Sequence, residues 1–225
     1  MEFTLRDLAN FQLSAYGDNP AAIFHKWIPE TPTNPVAYGV VYEPDETLIV
    51  LPGSKTPLDW ILDFFALPCH NLNTYSRFSL HSGFVVGLEP VIATLEAAML
   101  SHGPKRVTIC GHSLGAARAA AAVLLSDDKT ANLPLRFVGW GCPRIGDSLA
   151  WDELSVRCYR ADLFINGFDP VPRLPFALPG FPYASSPITR GGKLCITFLH
   201  IPPATEPLKI TAWHNMNLYH EGMPR

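Results

Sequence analysis

The residues Gly111-His112-Ser113-Leu114-Gly115 form a GxSxG pattern, which is the strongest chemical signal in the sequence. A β-branched run, Val107–Cys110, leads directly into the pattern, and an alanine-rich run, Leu114–Leu125, leaves it. A strand, a sharp turn and a helix in that order present a serine hydroxyl as a nucleophile, with glycine two residues before and after it. Ser113 is therefore the predicted nucleophile. The alternative is a glycine-rich turn that contains a chance serine.

A serine nucleophile needs a base to take its proton and an acid to orient that base, and candidates for both follow it in the sequence. Asp169 stands in a loop restricted by glycine and proline, after the strand-like run Val156–Tyr159. Three competing acids have less rigid surroundings, and they are Asp147, Asp152 and Asp162. His214 is the predicted base in preference to His220, which lies near the chain end, and His200 also follows the acid.

Strand-like and helix-like segments alternate along the chain. The runs Val36–Tyr42 and Thr47–Leu51 predict a hairpin or adjacent strands, and Thr4 can cap a helix that precedes them. Downstream strands are predicted at Arg106–Cys110 and Leu135–Gly141, on either side of the alanine-rich helix. This order predicts an α/β fold on a mostly parallel central sheet, with residues 1–225 in a single domain.

The composition excludes several classes of protein. Of the 225 residues, 48% are hydrophobic and 16% are charged, so the chain can bury a large core and is not intrinsically disordered. Seventeen Lys and Arg against twenty Asp and Glu give a net charge of -3 without a basic run, which argues against nucleic-acid binding. The most apolar stretch, Val107–Leu125, is interrupted by polar residues and is not predicted to span a membrane.

Location, thiols and cofactors are also predicted from the residues. Glu2, Arg6 and Asp7 do not match a secretory signal, so we expect a cytoplasmic protein that could be released by lysis or a leaderless route. The five cysteines lack paired spacing, so we expect buried thiols in a reducing compartment: Cys69, Cys110, Cys142, Cys158 and Cys195. Serine, histidine and aspartate chemistry needs no cofactor or metal, and none is predicted.

The sequence resembles the class 3 lipases of the α/β-hydrolase superfamily, a family that includes fungal triacylglycerol lipases and bacterial and phage-borne relatives. Five segments carry the resemblance: Leu51–Ser54 with Asp59–Asp63, His81–Phe84, Gly111–Gly115, Gly141–Asp147, and Asp169–Pro172 with His214–Tyr219. Together they extend over most of the chain. The resemblance implies an α/β-hydrolase fold, with helices on both faces of the sheet, and assigns the catalytic triad to Ser113, Asp169 and His214.

The resemblance also implies an oxyanion hole. Its donors would be the backbone N–H of Leu114 and that of Ser54, which stands where the family has Ser or Thr in a Phe-Arg-Gly-Ser/Thr segment. This sequence has Leu51-Pro52 in place of Phe-Arg, so any contact made by the family's arginine is missing. The alternative for Pro52-Gly53-Ser54 is a turn with no catalytic role.

The segment Thr56–Leu67 combines a helix start with apolar residues on almost every face. In the similar fungal lipases this region is the lid over the acyl-binding cleft, so we predict a short lid or a fixed cleft wall, with a core helix as the alternative. Trp60 and Phe64 are its predicted substrate-binding residues. His112, the variable residue of the turn, is assigned to the same set and is expected to support the turn rather than react.

These residues and the resemblance predict a serine carboxylic ester hydrolase, a lipase or esterase that cleaves acyl esters through an acyl-enzyme on Ser113. Its substrate would be a lipid or small-molecule ester, with transient contact to a lipid interface. One alternative is phospholipase A1 or acyltransferase activity, since the same acyl-enzyme can form from another lipid or pass to another alcohol. Another is a non-catalytic relative that binds a lipid or a protein partner.

Overall fold

The computed structural model describes residues 2–54, 72–74, 77–100, 106–127, 134–174, 194–203 and 210–224. In chain order its strands are β1 (Lys26–Ile28), β2 (Tyr38–Tyr42), β3 (Glu46–Leu51), β4 (Leu72–Thr74), β5 (Ser79–His81), β6 (Arg106–His112), β7 (Leu135–Trp140), β8 (Arg160–Asn166) and β9 (Leu194–Leu199). Strands β4 and β5 pair with each other, and the other seven form one sheet in the order β1-β2-β3-β6-β7-β8-β9.

The sheet is mostly parallel. Strand β2 is antiparallel to both of its neighbours, β1 and β3, and the pairing of Gly39 with Val50 and of Tyr42 with Thr47 confirms the predicted hairpin. From β3 to β9 every neighbouring pair is parallel. These strands therefore place their carboxyl ends along one edge, called the carboxyl edge below, where open α/β sheets carry their binding sites.

The helices lie on both faces of this sheet. They are α1 (Leu5–Ser14), α2 (Ser82–Val85), α3 (Glu89–Leu100), α4 (Leu114–Leu125), α5 (Ser148–Arg157) and α6 (Met216–Glu221), with short 3-10 helices at Pro20–Ala22, Val171–Arg173 and Ile210–His214. Helix α1 begins at the predicted cap, since Thr4 Oγ1 accepts a hydrogen bond from the N–H of Asp7 at 3.1 Å. Among the described residues, no helix combines the length and apolar character that crossing a bilayer requires.

Side chains that alternate along β3 contribute to two separate cores. Ile49 and Leu51 belong to the cluster formed with α3, α4 and α5, whereas Leu48 and Val50 belong to the cluster formed with α1 and α6. This alternation is the period of a strand that is buried on both faces. The predicted arrangement of helices on both faces of a mostly parallel sheet is confirmed.

The strand predicted over Val156–Tyr159 is wrong. Helix α5 extends to Arg157, and β8 begins at Arg160. The side chain of Asp147 caps α5 by accepting a backbone hydrogen bond at 2.9 Å, and Trp151 is buried on the inner face of the helix. The cap and the buried helical face outweigh the β propensity of the last residues.

The prediction that the cysteines are buried holds for three of them and is wrong for a fourth. Cys110, Cys142 and Cys158 are free and buried, whereas Cys195 is free and exposed. Cys195 lies on β9, which is an edge strand of the sheet, and several of its side chains therefore face solvent. Cys69 lies outside the described residues.

At the amino ends of the parallel strands, a buried ion pair joins β7 to β8. Arg136 donates to Asp162 Oδ2 from Nη2 at 3.1 Å, and both side chains are 3% exposed. The same carboxylate accepts from Arg160 Nε, which lies near the surface. This end of the sheet is opposite the carboxyl edge, so Asp162, a competing candidate for the catalytic acid, stabilises the fold instead.

Among the described residues, removing Asp162 leaves the buried Arg136 with only Glu2 Oε1 at 3.8 Å and the carbonyl of Phe3 at 3.3 Å to offset its charge. We therefore expect Asp162→Ala to lower the free energy of unfolding by about 3–5 kcal/mol, measured by urea denaturation. Asp18 is exposed, so Asp18→Ala should change this free energy by less than about 0.5 kcal/mol. Equal effects of the two substitutions would contradict a stabilising role for the pair.

Candidate active site

Ser113 occupies the sharp turn between β6 and α4 at the carboxyl edge. Its φ is 59° and its ψ is -128°, and it is the one non-glycine residue with positive φ among the described residues. A Cβ on Gly111 would lie 2.4 Å from the carbonyl carbon of Gly115, and a Cβ on Gly115 would lie 2.2 Å from the carbonyl oxygen of Leu51. The two glycines of the pattern are therefore needed for the close approach of α4 to the strands.

Asp169 is held in a tight turn that follows β8. Its N–H donates to the carbonyl of Asn166 at 2.8 Å, and Gly167, between them, has a φ of +45°. A Cβ on Gly167 would lie 2.3 Å from the ring of Trp213, so this turn requires glycine. Carboxylate oxygen Oδ1 accepts from the N–H of Val171 at 2.9 Å, which fixes the side chain and leaves Oδ2 available for a second partner.

His214 completes a buried pair with Asp169. Its Nδ1 lies 2.8 Å from Asp169 Oδ2, and the two side chains are 2% and 0% exposed. Among the described residues, His214 Nε2 and Ser113 Oγ are both buried and have no hydrogen-bond partner. Ser113 directly follows His112, whose ring stacks on that of His214 with centroids 4.6 Å apart. The structure thus brings the predicted nucleophile, acid and base to one site.

The competing candidates lie elsewhere. Asp147 caps α5 and Asp162 pairs with arginine, as described above, and Asp152 lies within α5. The ring of His220 bonds Asn10 Oδ1 at 2.8 Å on the surface. His200 packs against Trp213, with ring centroids 5.4 Å apart.

Tyr219 and Asn166 support the Asp169–His214 pair, and neither role was predicted from the sequence. The hydroxyl of Tyr219 donates to Asp169 Oδ2 and accepts from the N–H of Asn166 at 3.1 Å. Burial, together with the Asp169 charge, raises the pKa of Tyr219 well above its usual value, so the hydroxyl remains a donor. Asn166 Nδ2 donates to the carbonyl of Ile201 at 3.0 Å, which links β8 to the segment after β9.

The segment Pro52-Gly53-Ser54 follows β3 and lies directly against the turn that holds Ser113. Leu51, the last residue of β3, pairs in register with Gly111. A Cβ on Gly53 would lie 2.9 Å from Ser113 Cβ, so the loop and the nucleophile are in close contact. Leu114 is the first residue of α4, where backbone N–H groups and the helix dipole favour negative charge. Of the two predicted oxyanion residues, Leu114 directly follows Ser113, and Ser54 follows Gly53, which contacts Ser113.

The predicted substrate-binding residues have different placements. Trp60 and Phe64, with the rest of Thr56–Leu67, lie outside the described residues. His112 is 4% exposed and has protein partners at both ring nitrogens, the hydroxyl of Tyr16 at 2.8 Å and the carbonyl of His214 at 3.0 Å. These contacts agree with support of the turn, and binding of substrate by His112 stays a prediction.

Comparison with known proteins identifies the family. The model of the family described as lipase (class 3) matches residues 48–178, which is more than half of the chain and includes Ser54, Ser113 and Asp169. The chain therefore belongs to the class 3 lipase family. The secreted mono- and diacylglycerol lipase 1 of Fusarium solani is 30% identical to it over 147 residues, which are 62% of this chain and 42% of that protein. The chain thus spans less than half the length of this curated relative.

Solved structures of lipases share the fold. The triacylglyceride lipase of Rhizomucor miehei has a TM-score of 0.64 at 21% sequence identity, covering 77% of this chain and 74% of that one. A triacylglycerol lipase with a catalytic centre described as a serine protease triad has a TM-score of 0.65 at 21% identity, again covering 77% and 74% of the two chains. These similarities show that the fold is that of the α/β-hydrolases.

The burial of His112 predicts a dependence of stability on pH. Burial, with a smaller effect of the neighbouring His214, holds the pKa of His112 well below its usual value of about 6.5. Below that pH the unfolded chain binds a proton at this position and the folded protein does not. The contribution of His112 to the free energy of unfolding is therefore fully present above about pH 6.5 and is lost as the pH decreases. Each such proton contributes about 1.4 kcal/mol per pH unit.

The free energy of unfolding, measured by urea denaturation between pH 7.5 and 5.5, should decrease with falling pH in the unaltered protein. We expect His112→Gln to make this decrease smaller by most of the amount that one proton contributes. His81, whose pKa is also lowered by burial, contributes to the decrease in all proteins compared. Tyr38→Phe is the control, since it removes a buried hydroxyl and no group that titrates in this range. An unchanged decrease in His112→Gln would show that His112 is protonated in the folded protein.

Proposed function

We propose that this protein is a serine carboxylic ester hydrolase with Ser113 as nucleophile, His214 as base and Asp169 as acid. The observation that carries the proposal is the buried 2.8 Å pair of His214 Nδ1 and Asp169 Oδ2, with His214 Nε2 left unpartnered beside the strained turn of Ser113. A base oriented by a buried carboxylate, with its second nitrogen available for a nearby hydroxyl, is the arrangement that activates serine. The family supports the same chemistry.

The reaction would proceed in two steps. His214 Nε2 takes the proton of Ser113 while Oγ attacks the ester carbonyl, and the protonated imidazole then gives that proton to the leaving alcohol. Water, deprotonated by the same nitrogen, then attacks the acyl-enzyme, and the imidazolium returns that proton to Ser113 Oγ as the acid leaves. Asp169 holds His214 in the tautomer with hydrogen on Nδ1 and stabilises the imidazolium that forms, and the hydroxyl of Tyr219 keeps the carboxylate in place.

The negative oxygen that forms in each step would be held by backbone donors on two sides. The N–H of Leu114 would donate from the start of α4, and the N–H of Ser54 would donate from the loop after β3. Loss of one such donor typically costs about 3 kcal/mol of transition-state stabilisation. The contact of Gly53 with Ser113 supports this assignment, since it brings the neighbouring Ser54 to the nucleophile.

The proposed substrate is an acyl ester of a lipid. Membership of the class 3 lipases supports a lipid ester, and the names of the similar proteins indicate triacylglycerols and mono- and diacylglycerols for those relatives. The acyl chain would lie beside the loop after β3, which contacts the turn of Ser113. A series of p-nitrophenyl esters from acetate to palmitate would locate the preferred chain length.

Hydrolysis of this ester series tests the triad. Ser113→Ala should reduce turnover to the residual level that binding alone provides, and Asp169→Asn should reduce kcat by about 10⁴-fold, since an amide cannot hold His214 in the required tautomer. Asp152→Asn is the matched control and should retain the activity of the unaltered protein.

Two results would overturn the enzyme assignment. One is the absence of hydrolysis across the whole series by folded protein, which would favour a relative that only binds its ligand. The other is turnover by Ser113→Ala equal to that of the unaltered protein, which would place the reaction at another residue. Products that carry the acyl group on an added alcohol would instead reveal acyl transfer by the same acyl-enzyme.

A further inference from the structure

Tyr16 lies just after α1, far from the catalytic residues in sequence, and reaches the site through its hydroxyl. This residue precedes the segment 48–178 that defines the family match. Its hydroxyl accepts a hydrogen bond from the N–H of Gly53 at 2.7 Å and contacts His112 Nδ1 at 2.8 Å. Its ring meets the ring of His112 edge to face, with centroids 5.9 Å apart. One side chain therefore contacts both the loop after β3 and the residue before the nucleophile.

The direction of the hydrogen bonds follows from the far side of His112. Its Nε2 lies 3.0 Å from the carbonyl oxygen of His214, and because a carbonyl only accepts, Nε2 must carry hydrogen. In the neutral ring Nδ1 is then an acceptor, and the Tyr16 hydroxyl donates to it. The oxygen of Tyr16 remains able to accept from Gly53. Burial lowers the pKa of His112, and raises that of Tyr16, which keeps both groups neutral as this chain requires.

The resulting chain runs from the N–H of Gly53 through Tyr16 and His112 to the backbone of His214. These hydrogen bonds join two parts of the proposed site, since Gly53 precedes Ser54 and His214 is the proposed base. The space around Gly53 is already filled: a Cβ there would lie 2.6 Å from the carbonyl oxygen of His112 and 2.8 Å from the Tyr16 hydroxyl. The loop at Gly53 is thus packed against Tyr16 and His112 as well as hydrogen-bonded to Tyr16.

We propose that Tyr16 is a positioning residue for ester hydrolysis, and that its hydroxyl holds the oxyanion loop at Gly53-Ser54 and, through His112, the backbone of His214 in their reactive arrangement. This proposal rests on the proposed function. It assigns Tyr16 no contact with substrate. Loss of the hydroxyl should therefore lower the rate of the chemical step and leave substrate binding in place.

Tyr16→Phe tests the proposal, with Tyr38→Phe as the matched control. Tyr38 is a buried tyrosine, and its hydroxyl bonds the side chain of Thr94 at 3.0 Å and the carbonyl of Pro90 at 3.2 Å, away from the site. We expect Tyr16→Phe to lower kcat at least tenfold with KM changed less than twofold, and to slow labelling of Ser113 by a fluorophosphonate at least tenfold. Tyr38→Phe should stay within twofold of the unaltered protein in each measurement.

A kcat and a labelling rate for Tyr16→Phe within twofold of the unaltered protein would overturn the proposal. Equal losses in Tyr38→Phe would do so too, since they would show an effect of stability alone. Should Tyr16→Phe not fold, His112→Gln provides the second variant: its amide can donate toward His214 but offers no acceptor at the place of Nδ1, so the same fall in kcat at constant KM is expected. An unchanged kcat in His112→Gln would also contradict the proposed role of these hydrogen bonds.

Nuclear magnetic resonance of the ring nitrogens separates failure of this proposal from failure of the proposed function. In the unaltered protein the His112 ring should be neutral with hydrogen on Nε2, and in Tyr16→Phe its Nδ1 signal should shift because the donor is lost. Those signals in a protein that neither hydrolyses esters nor labels at Ser113 would contradict the enzyme assignment and leave the hydrogen-bond chain intact. Hydrogen on Nδ1 in the unaltered protein would contradict the chain whatever the activity.

Discussion

The backbone conformation of Ser113 is the constraint on which the rest of the site depends. A positive φ in a residue with a side chain costs about 1–3 kcal/mol and persists where the surroundings impose it. The N–H of Ser113 donates to the carbonyl of Trp140 on β7 at 2.9 Å, and its own carbonyl accepts from the first turn of α4. Gly111 and Gly115 allow α4 to meet β3 and β6 at backbone distance. The turn is thereby fixed by strands on both sides and by the helix that leaves it.

The parallel sheet then delivers the other parts of the site to the same place. Strand β3 ends at the loop that carries Ser54, and β8 ends at the turn that carries Asp169. Because these strands run in the same direction, both segments lie at the carboxyl edge of the sheet. His214 lies at the end of the 3-10 helix Ile210–His214, which follows β9 in the chain. It is fixed by its bond to Asp169, by the contact of its carbonyl with His112 and by Tyr219, which joins α6 to the same carboxylate.

The sequence predicted the parts of the site that local chain geometry specifies. Ser113 and Asp169 stand in turns whose glycine and proline residues restrict the backbone, so their positions could be read from neighbours within a few residues. Tyr219 and Tyr16 could not be found in this way, since each acts on a residue at least 37 positions away and no spacing rule connects them. The strand predicted over Val156–Tyr159 failed for a related reason: the cap at Asp147, nine positions upstream, decides that segment.

In the proposed mechanism, Ser113 attacks an acyl carbon while two backbone N–H groups hold the oxyanion. A crystal structure of the protein after reaction with a p-nitrophenyl alkylphosphonate tests this mechanism most directly. The phosphorus of such a compound stays bonded to the attacking atom as a tetrahedral mimic of the intermediate. We predict a bond from Ser113 Oγ to phosphorus, with the phosphonyl oxygen about 2.7–3.1 Å from the backbone nitrogens of Leu114 and Ser54. Modification of a different residue, or a phosphonyl oxygen directed away from both nitrogens, would contradict this mechanism.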